Sequence, residues 1–153
     1  METDNSIRVW ELAPNNFKSS VEVAACYLEI NGEILLLERS PNSPEGNTWC
    51  VPAGKIESGE LPIHAMIREL FEETGIKVTP SEVKNIGKLY IQKATSSYVY
   101  HLFQVVLSKK PIVILSTEHS RYTWTNILDI ENMDLIGGGQ EALIYYTKMK
   151  DKT

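Results

Sequence analysis

GKIESGELPIHAMIRELFEETGI, residues 54–76, is the most informative segment of this chain. Five apolar residues recur in it at spacings of three and four, a pattern that predicts a helix with one apolar face: Ile63, Met66, Ile67, Leu70 and Phe71. Pro62 suits the first helical turn, where its missing N–H costs nothing. Gly75 suits a left-handed C-terminal cap. We therefore predict a helix between these two residues.

Three carboxylates are predicted to share one side of this helix. Glu69 precedes Glu72 and Glu73 by three and four residues, and this spacing puts side chains on the same face. Like charges so arranged weaken a helix by roughly a few tenths of a kcal/mol per pair, and Arg68 can compensate only part of the charge. Hard oxygen ligands at this density suit Mg²⁺ or Mn²⁺. Taken alone, however, Glu-x-x-Glu-Glu is more often a solvated helix face.

The whole stretch resembles the Nudix box, G-x5-E-x7-R-E-U-x-E-E-x-G-U, in which U is an aliphatic residue. Every constrained position is filled, by Gly54, Glu60, Arg68, Glu69, Leu70, Glu72, Glu73, Gly75 and Ile76. The match extends to the loop before the helix and to both helix ends, so it outweighs the interpretation as a solvated face. The resemblance implies a Nudix hydrolase, which cleaves a nucleoside diphosphate linked to another moiety with the help of a divalent metal ion.

By the same resemblance, Glu72 and Glu73 would be the principal metal ligands, with the backbone carbonyl of Gly54 and a share from Glu69. The expected ion is Mg²⁺, with Mn²⁺ as an alternative. Glu69 is also the first candidate for the residue that orients or deprotonates the attacking water. Glu118 and Glu72 are alternatives, because a general base needs only to lie within reach of that water.

Four further residues receive roles from the resemblance. Arg68 and Glu60 are expected to form an ion pair that ties the helix to the loop before it, which is a structural role. Arg39 ends a β-rich run before the loop, where Nudix enzymes commonly keep a basic side chain on the substrate phosphates. Lys55, next to the loop glycine, is a weaker candidate for the same contact.

The segment EHSRYTW, residues 118–124, resembles an E-H-x-x-Y-x-W signature that follows the box in several Nudix nucleotide pyrophosphohydrolases. It implies that Glu118 is an additional metal ligand or base. We expect His119 to be a satisfied structural histidine, and Tyr122 and Trp124 to belong to the core.

Another candidate for substrate binding lies on a β-rich run that precedes this segment. Tyr98, Tyr100 and His101 could line a nucleobase pocket, although alternating aromatic residues on a strand usually serve packing. We keep Tyr100 as the candidate.

The rest of the chain predicts strands on both sides of the central helix. β-Rich runs cover 21–30, 33–39, 49–52, 87–93, 98–107, 112–115 and 121–125, and an amphipathic helix is predicted over 140–150. Asn31-Gly32 is a strong signal for a two-residue hairpin. Strands around a helix, with a second helix at the end, suggest a mixed sheet between helices. The Nudix resemblance implies the same α/β/α sandwich.

Length and composition fit one domain over residues 1–153, with about 1–18 as an extension or edge segment. The net charge of −5 argues against nucleic acid as a bulk ligand. We find neither a signal peptide nor an apolar stretch long enough to cross a membrane. Cys26 and Cys50 do not have the spacing of metal-binding cysteines, and we expect both to be reduced thiols in the core. A cytoplasmic location is therefore the default expectation. A homodimer is possible, as among many members of the family.

The box does not identify the substrate. The chain lacks the short markers of ADP-ribose, coenzyme A and diadenosine polyphosphate hydrolases, so we expect a (d)NTP or dihydroneopterin triphosphate, cleaved to monophosphate and pyrophosphate. Diadenosine polyphosphate or ADP-ribose remains the alternative. A catalytically inactive Nudix-fold nucleotide-binding module is an alternative of another class, but none of the three helix glutamates is replaced. An isomerase acting on isopentenyl diphosphate would need a longer chain with a catalytic cysteine.

Overall fold

A mixed β-sheet with helices on both faces is the framework of the protein in a computed structural model, which describes residues 6–152. The strands are β1 (Arg8–Trp10), β2 (Glu22–Ile30), β3 (Glu33–Arg39), β4 (Trp49–Cys50), β5 (Ala53–Lys55), β6 (Val83–Gln92), β7 (Ser97–Val106) and β8 (His119–Asn126). The helices are α1 (Pro62–Thr74), α2 (Ile127–Ile130) and α3 (Gly139–Met149), and a 3₁₀ turn covers Pro80–Glu82.

The sheet runs in the order β1-β6-β7-β2-β3-β4, with β5 also paired to β2 and β8 paired to β3. β2 and β7 are parallel, and the other pairs are antiparallel. The predicted hairpin between β2 and β3 is confirmed. Its two turn residues, Asn31 and Gly32, have φ of 50° and 81°, the left-handed conformation that such a tight turn requires.

Two apolar cores lie on opposite faces of the sheet, because successive side chains of β2 point to opposite sides. On one face Ala24 and Cys26 pack in the same cluster as Met66 of α1. On the other face Ala25 and Tyr27 belong to the cluster that contains α3. The predicted α/β/α sandwich is therefore confirmed.

Helix α1 begins and ends where its sequence signals predicted. Pro62 is its first residue, and Leu61 at the N-cap makes no side-chain capping bond. Gly75 has φ 74° and donates its N–H to the carbonyl of Phe71 at 2.8 Å. The left-handed cap therefore ends the helix directly after the three carboxylates.

Two predictions about the second half of the chain were wrong. Residues 112–115 form no strand: the N–H of Ile114 donates to the carbonyl of Thr74 at 2.8 Å, so this segment caps the end of α1 instead of joining a sheet edge. The side chains of Ile112 and Ile114 are 83% and 69% exposed. Tyr122, expected in the core, is 45% exposed, whereas Trp124 does pack against the α1 face.

The predicted extension is partly described. Residues 8–10 form the edge strand β1, which pairs with β6, and the first five residues of that extension lie outside the described range. Within residues 6–152, no helix is both long and apolar enough to span a membrane.

Candidate active site

The carboxylates of α1 lie against strand β5. Glu73 is only 5% exposed, and its Oε1 accepts the N–H of Ala53 at 3.0 Å, so the last turn of the helix is bonded to the start of the strand. Glu69, one turn earlier, lies directly over Gly54: a Cβ added there would collide with the Glu69 carboxyl group. Glu72 points further out, with 55% of its side chain exposed. The box thus brings Glu69 and Glu73 against the backbone at Ala53 and Gly54, with Glu72 on the outer side.

Arg68 connects this cluster to the preceding loop. Its Nε and Nη2 donate to the two carboxylate oxygens of Glu60 at 2.8 and 2.9 Å, a bidentate contact. Its Nη1 lies 2.9 Å from Glu69 Oε1 and 3.3 Å from Glu72 Oε2. Nη2 also donates to the carbonyl of Lys55 at 3.0 Å. One guanidinium therefore holds the loop, the end of β5 and two helix carboxylates together.

The turn before β8 and the first residue of that strand bring two further side chains to the same place. Carboxylate oxygens of Glu73 and Glu118 and one ring nitrogen of His119 all lie within 4.8 Å of one another. A β-bulge in the β3–β8 ladder makes this possible, because the pairing shifts after Glu38 and sets His119, not Ser120, opposite Arg39.

His119 differs from the satisfied structural histidine that we expected. It is buried, with 6% of its surface exposed, yet its Nδ1 has no hydrogen-bond partner in the part of the chain that the structure describes. Its Nε2 lies 3.8 Å from the Sγ of Cys50, a weak contact.

The electrostatics of the cluster favour a bound cation. Burial raises the pKa of Glu73 to about 8; the Ala53 N–H opposes this shift, and Glu69 and Glu118 add to it. Burial also raises the pKa of Glu69, against the effect of Arg68. Hydrogen bonds from Arg68 lower the pKa of Glu60 to about 2. Carboxylates whose charged form is disfavoured by burial and by one another gain most from a divalent cation, and oxygen donors suit Mg²⁺ or Mn²⁺.

A cavity of about 430 Å³ opens beside the carboxylates, on the α3 face of the sheet. Its lining includes the rings of Tyr27, Trp49, Tyr98 and Tyr100 together with His119, and we call it the aromatic cavity. The three predicted substrate-binding residues, Arg39, Lys55 and Tyr100, all line it. Gly54 lines it as well, so the cavity and the carboxylate cluster share an edge.

Residues 18–144, which include the whole box and the segment around Glu118, match the family model of the NUDIX domain. The chain belongs to the Nudix hydrolase family. It is therefore an enzyme of the pyrophosphohydrolase class, which acts on acid anhydrides.

Individual Nudix proteins resemble it along most of its length. YvcI of Bacillus subtilis strain 168, an uncharacterized Nudix hydrolase, is 29% identical over 129 residues, which cover 82% of this chain and 78% of YvcI. CTP pyrophosphohydrolase of Escherichia coli K12 is 31% identical over 107 residues, 68% of this chain and 74% of that protein. The crystal structure of the MutT protein from Methanosarcina mazei Go1 superimposes with a TM-score of 0.75 at 26% identity, covering 88% of this chain and 98% of that one.

One set of side-chain contacts in this Nudix hydrolase was not predicted from the sequence. Glu45 has φ 53°, and its carboxylate contacts the Lys93 Nζ at 2.8 Å and the Gly137 N–H at 2.8 Å. Lys93 and Gly137 both line the aromatic cavity, so Glu45 joins two parts of its wall. The three residues are far apart in the chain, and no local pattern indicates that they meet.

The Nudix box makes a prediction about Gly54. Replacing it by alanine should displace the Glu69 carboxyl group, which would otherwise collide with the new Cβ. Because the end of a flexible side chain can move, we expect the free energy of unfolding to change by less than about 1 kcal/mol. We expect kcat to fall about 10- to 100-fold, since Glu69 leaves its position in the cluster. Steady-state kinetics together with denaturant unfolding measure both effects; unchanged kcat would show that the position of Glu69 does not matter.

The raised pKa of Glu73 leads to a second prediction, which concerns the pH dependence of the stability of the metal-free protein. The pKa of this carboxyl rises from 4.5 to about 8 on folding, so its contribution to stability is fully present below about pH 4.5 and is lost as the pH rises through 8. The shift corresponds to at most about 5 kcal/mol. Thermal unfolding in a chelator should therefore show the wild type losing stability between pH 5 and 8 relative to Glu73→Gln. If the thermal stability of the two proteins depends on pH in the same way, the raised pKa of Glu73 is wrong.

Proposed function

We propose that this Nudix hydrolase catalyses the Mg²⁺-dependent hydrolysis of a triphosphate, a (d)NTP or a dihydroneopterin triphosphate-like compound, to monophosphate and pyrophosphate. The observation that carries the proposal is the shared edge between the carboxylate cluster and the aromatic cavity at Gly54. A ring system joined to a polyphosphate has the two parts that such a layout would hold.

The cavity suits the ring end of the substrate. Its volume of about 430 Å³ falls within the usual range of small-molecule sites, roughly 300–1,000 Å³. Four aromatic side chains line it, and the hydroxyl groups of two of them, Tyr27 and Tyr100, lie 3.2 Å apart. Flat rings pack well on aromatic faces, and the hydroxyl groups offer polar contacts to ring edges.

The cluster suits the phosphate end. Glu72, Glu73 and Glu118, with a share from Glu69 and the carbonyl of Gly54, would hold the Mg²⁺. When bound, the ion would activate water and offset phosphate charge. The other roles fall to the side chains themselves: Glu69, oriented by Arg68 at 2.9 Å, would accept the proton of the attacking water, with Glu118 and Glu72 as alternatives.

Three basic residues have separate roles in this proposal. Arg39 and Lys55 line the cavity and would bind phosphate oxygens between the ring and the cluster. Arg68 is already engaged with Glu60, so we assign that pair to holding the ligand geometry and not to substrate binding.

The similarity to a CTP pyrophosphohydrolase, at 31% identity, favours a nucleoside triphosphate over the other substrates of the family. Diadenosine polyphosphates and ADP-ribose contain the same kind of bond, and only an assay separates them.

A cytoplasmic location and a homodimer belong to the proposal as well. Light scattering tests the dimer, and the mass of a single chain would overturn it.

The experiment that tests the function is product analysis by chromatography. The substrates are dNTPs, NTPs, dihydroneopterin triphosphate, ADP-ribose and diadenosine tetraphosphate, each with Mg²⁺. We expect a triphosphate to give monophosphate and pyrophosphate with wild type, and the Glu72→Gln, Glu73→Gln double variant to be inactive.

Other outcomes of the same assay have distinct meanings. Preferred cleavage of ADP-ribose or the dinucleotide would overturn the substrate and keep the chemistry. Nucleotide binding without any turnover would replace the proposal by a binding module.

A further inference from the structure

His119 is a buried polar side chain that the proposed chemistry leaves unused. Its Nδ1 lacks a partner among residues 6–152, and its other nitrogen has only the thiol of Cys50 at 3.8 Å. Leaving a buried polar atom unpaired is unfavourable, so such an atom in a folded protein calls for an explanation. A structural histidine would normally direct its ring nitrogens to carbonyl groups or carboxylates.

The surroundings of His119 indicate what its ring could bind. One of its nitrogens and carboxylate oxygens of Glu73 and Glu118 lie within 4.8 Å of one another. Two carboxylates and a neutral imidazole that converge from different elements form a common ligand set for a divalent cation. Glu73 lies in the last turn of α1, Glu118 in the turn before β8 and His119 at the first position of β8, so the group is more than an acidic helix face.

The backbone holds this arrangement in place. The N–H of Ser40 donates to the carbonyl of Glu118 at 3.0 Å, and its hydroxyl donates to the carbonyl of Thr117 at 2.9 Å. The N–H of His119 reaches the carbonyl of Ser116 at 3.3 Å. Together with the bulge opposite Arg39, these bonds fix the turn before β8 to the end of β3. The backbone of Glu118 and His119 is thus anchored, as a preorganised site requires.

We propose that His119 is a nitrogen ligand of a divalent cation held together with Glu73 and Glu118, and that this position prefers Mn²⁺ to Mg²⁺. The inference rests on the proposed function, which places metal ions at these carboxylates. Imidazole is a poor match for Mg²⁺, which favours octahedral oxygen coordination, whereas transition-metal ions accept nitrogen readily. Glu69, Glu72 and the Gly54 carbonyl are all oxygen donors and would complete the Mg²⁺ site, with Glu73 and Glu118 shared between the two ions.

The first test detects the nitrogen ligand directly and needs no change at His119. The chain has three histidines, so an untagged His64→Gln, His101→Gln variant keeps His119 alone. Pulsed electron paramagnetic resonance of bound Mn²⁺ should show coupling to a directly bound ¹⁴N nucleus in wild type and in this variant. Growth on ¹⁵N-labelled histidine should change that coupling to the ¹⁵N pattern.

The second test measures affinity by calorimetry. His119→Gln should weaken Mn²⁺ binding about tenfold or more and Mg²⁺ binding less than about threefold. His101→Gln is the matched control, because His101 is paired with Glu22 at 2.6 Å outside the cluster, and it should leave both affinities unchanged. Circular dichroism confirms that each variant is folded.

The possible results distinguish a failure of the proposed role of His119 from a failure of the proposed hydrolase function. Bound Mn²⁺ without nitrogen coupling would overturn the role of His119 and leave the metal-dependent hydrolase intact. No Mn²⁺ or Mg²⁺ binding at all would overturn both.

Discussion

Glu73→Gln is expected to lower kcat about 10³-fold, a loss of roughly 4 kcal/mol of transition-state stabilisation, while the protein stays folded. The amide oxygen of glutamine can still accept the Ala53 N–H that Glu73 accepts at 3.0 Å, so the helix stays bonded to β5. What disappears is the negative charge at the most buried carboxylate of the box. Steady-state kinetics at saturating Mg²⁺ measure the effect.

The same variant should not lose stability in the absence of metal. Burial raises the pKa of Glu73 to about 8, which means that its charge opposes folding near neutral pH. Glu141→Gln, on the exposed side of α3, is the matched control and should behave as wild type in both measurements. A Glu73→Gln enzyme that keeps activity within tenfold of wild type would remove Glu73 from the ligand set.

Arg68→Ala is expected to reduce kcat about 100-fold and to lower the melting temperature by about 5 °C. The guanidinium contacts Glu60, Glu69, Glu72 and the carbonyl of Lys55, so its loss frees the loop and leaves carboxylates facing one another. Displacement of catalytic groups by even about 1 Å can cost a factor of 100. Kinetics and thermal unfolding measure the two effects on the same sample.

Arg68→Lys separates charge from geometry in this position. Lysine keeps the positive charge but lacks the planar fork that binds both oxygens of Glu60, so we expect an intermediate loss of activity. A Glu60→Ala, Arg68→Ala double variant should be little worse than Arg68→Ala alone, because both substitutions break the same contact. Additive losses would show that the two residues act independently.

The parts of the fold that the sequence predicted correctly are those with local signals. Pro62 and Gly75 set the ends of α1, and Asn31-Gly32 set the hairpin, because each acts through its own backbone conformation. The wrong strand at 112–115 shows the limit of such signals. Its β-branched residues favour an extended chain, but the bonding partner is the end of α1, and periodicity does not identify a partner.

The residues of the site also differ in whether a local sequence signal could predict their positions. The box placed Glu69, Glu72 and Glu73 on one helix, where spacing alone fixes their neighbourhood. The resemblance of residues 118–124 to a family signature predicted Glu118 as a site residue, but its meeting with His119 and Glu73 depends on a β-bulge opposite Arg39, which has no sequence signature here. The contact of Glu45 with Lys93 and Gly137 depends on three distant segments, and only the folded chain brings them together.

A phosphorus NMR time course of triphosphate hydrolysis in Mg²⁺, with the best substrate of the panel, is the most direct test of the proposed function. We expect monophosphate and pyrophosphate in equal amounts, and no turnover either in a chelator or with the Glu72→Gln, Glu73→Gln double variant. Release of orthophosphate and a nucleoside diphosphate would contradict the proposed bond cleavage. Unchanged turnover by the double variant would contradict the assignment of the carboxylate cluster as the active site.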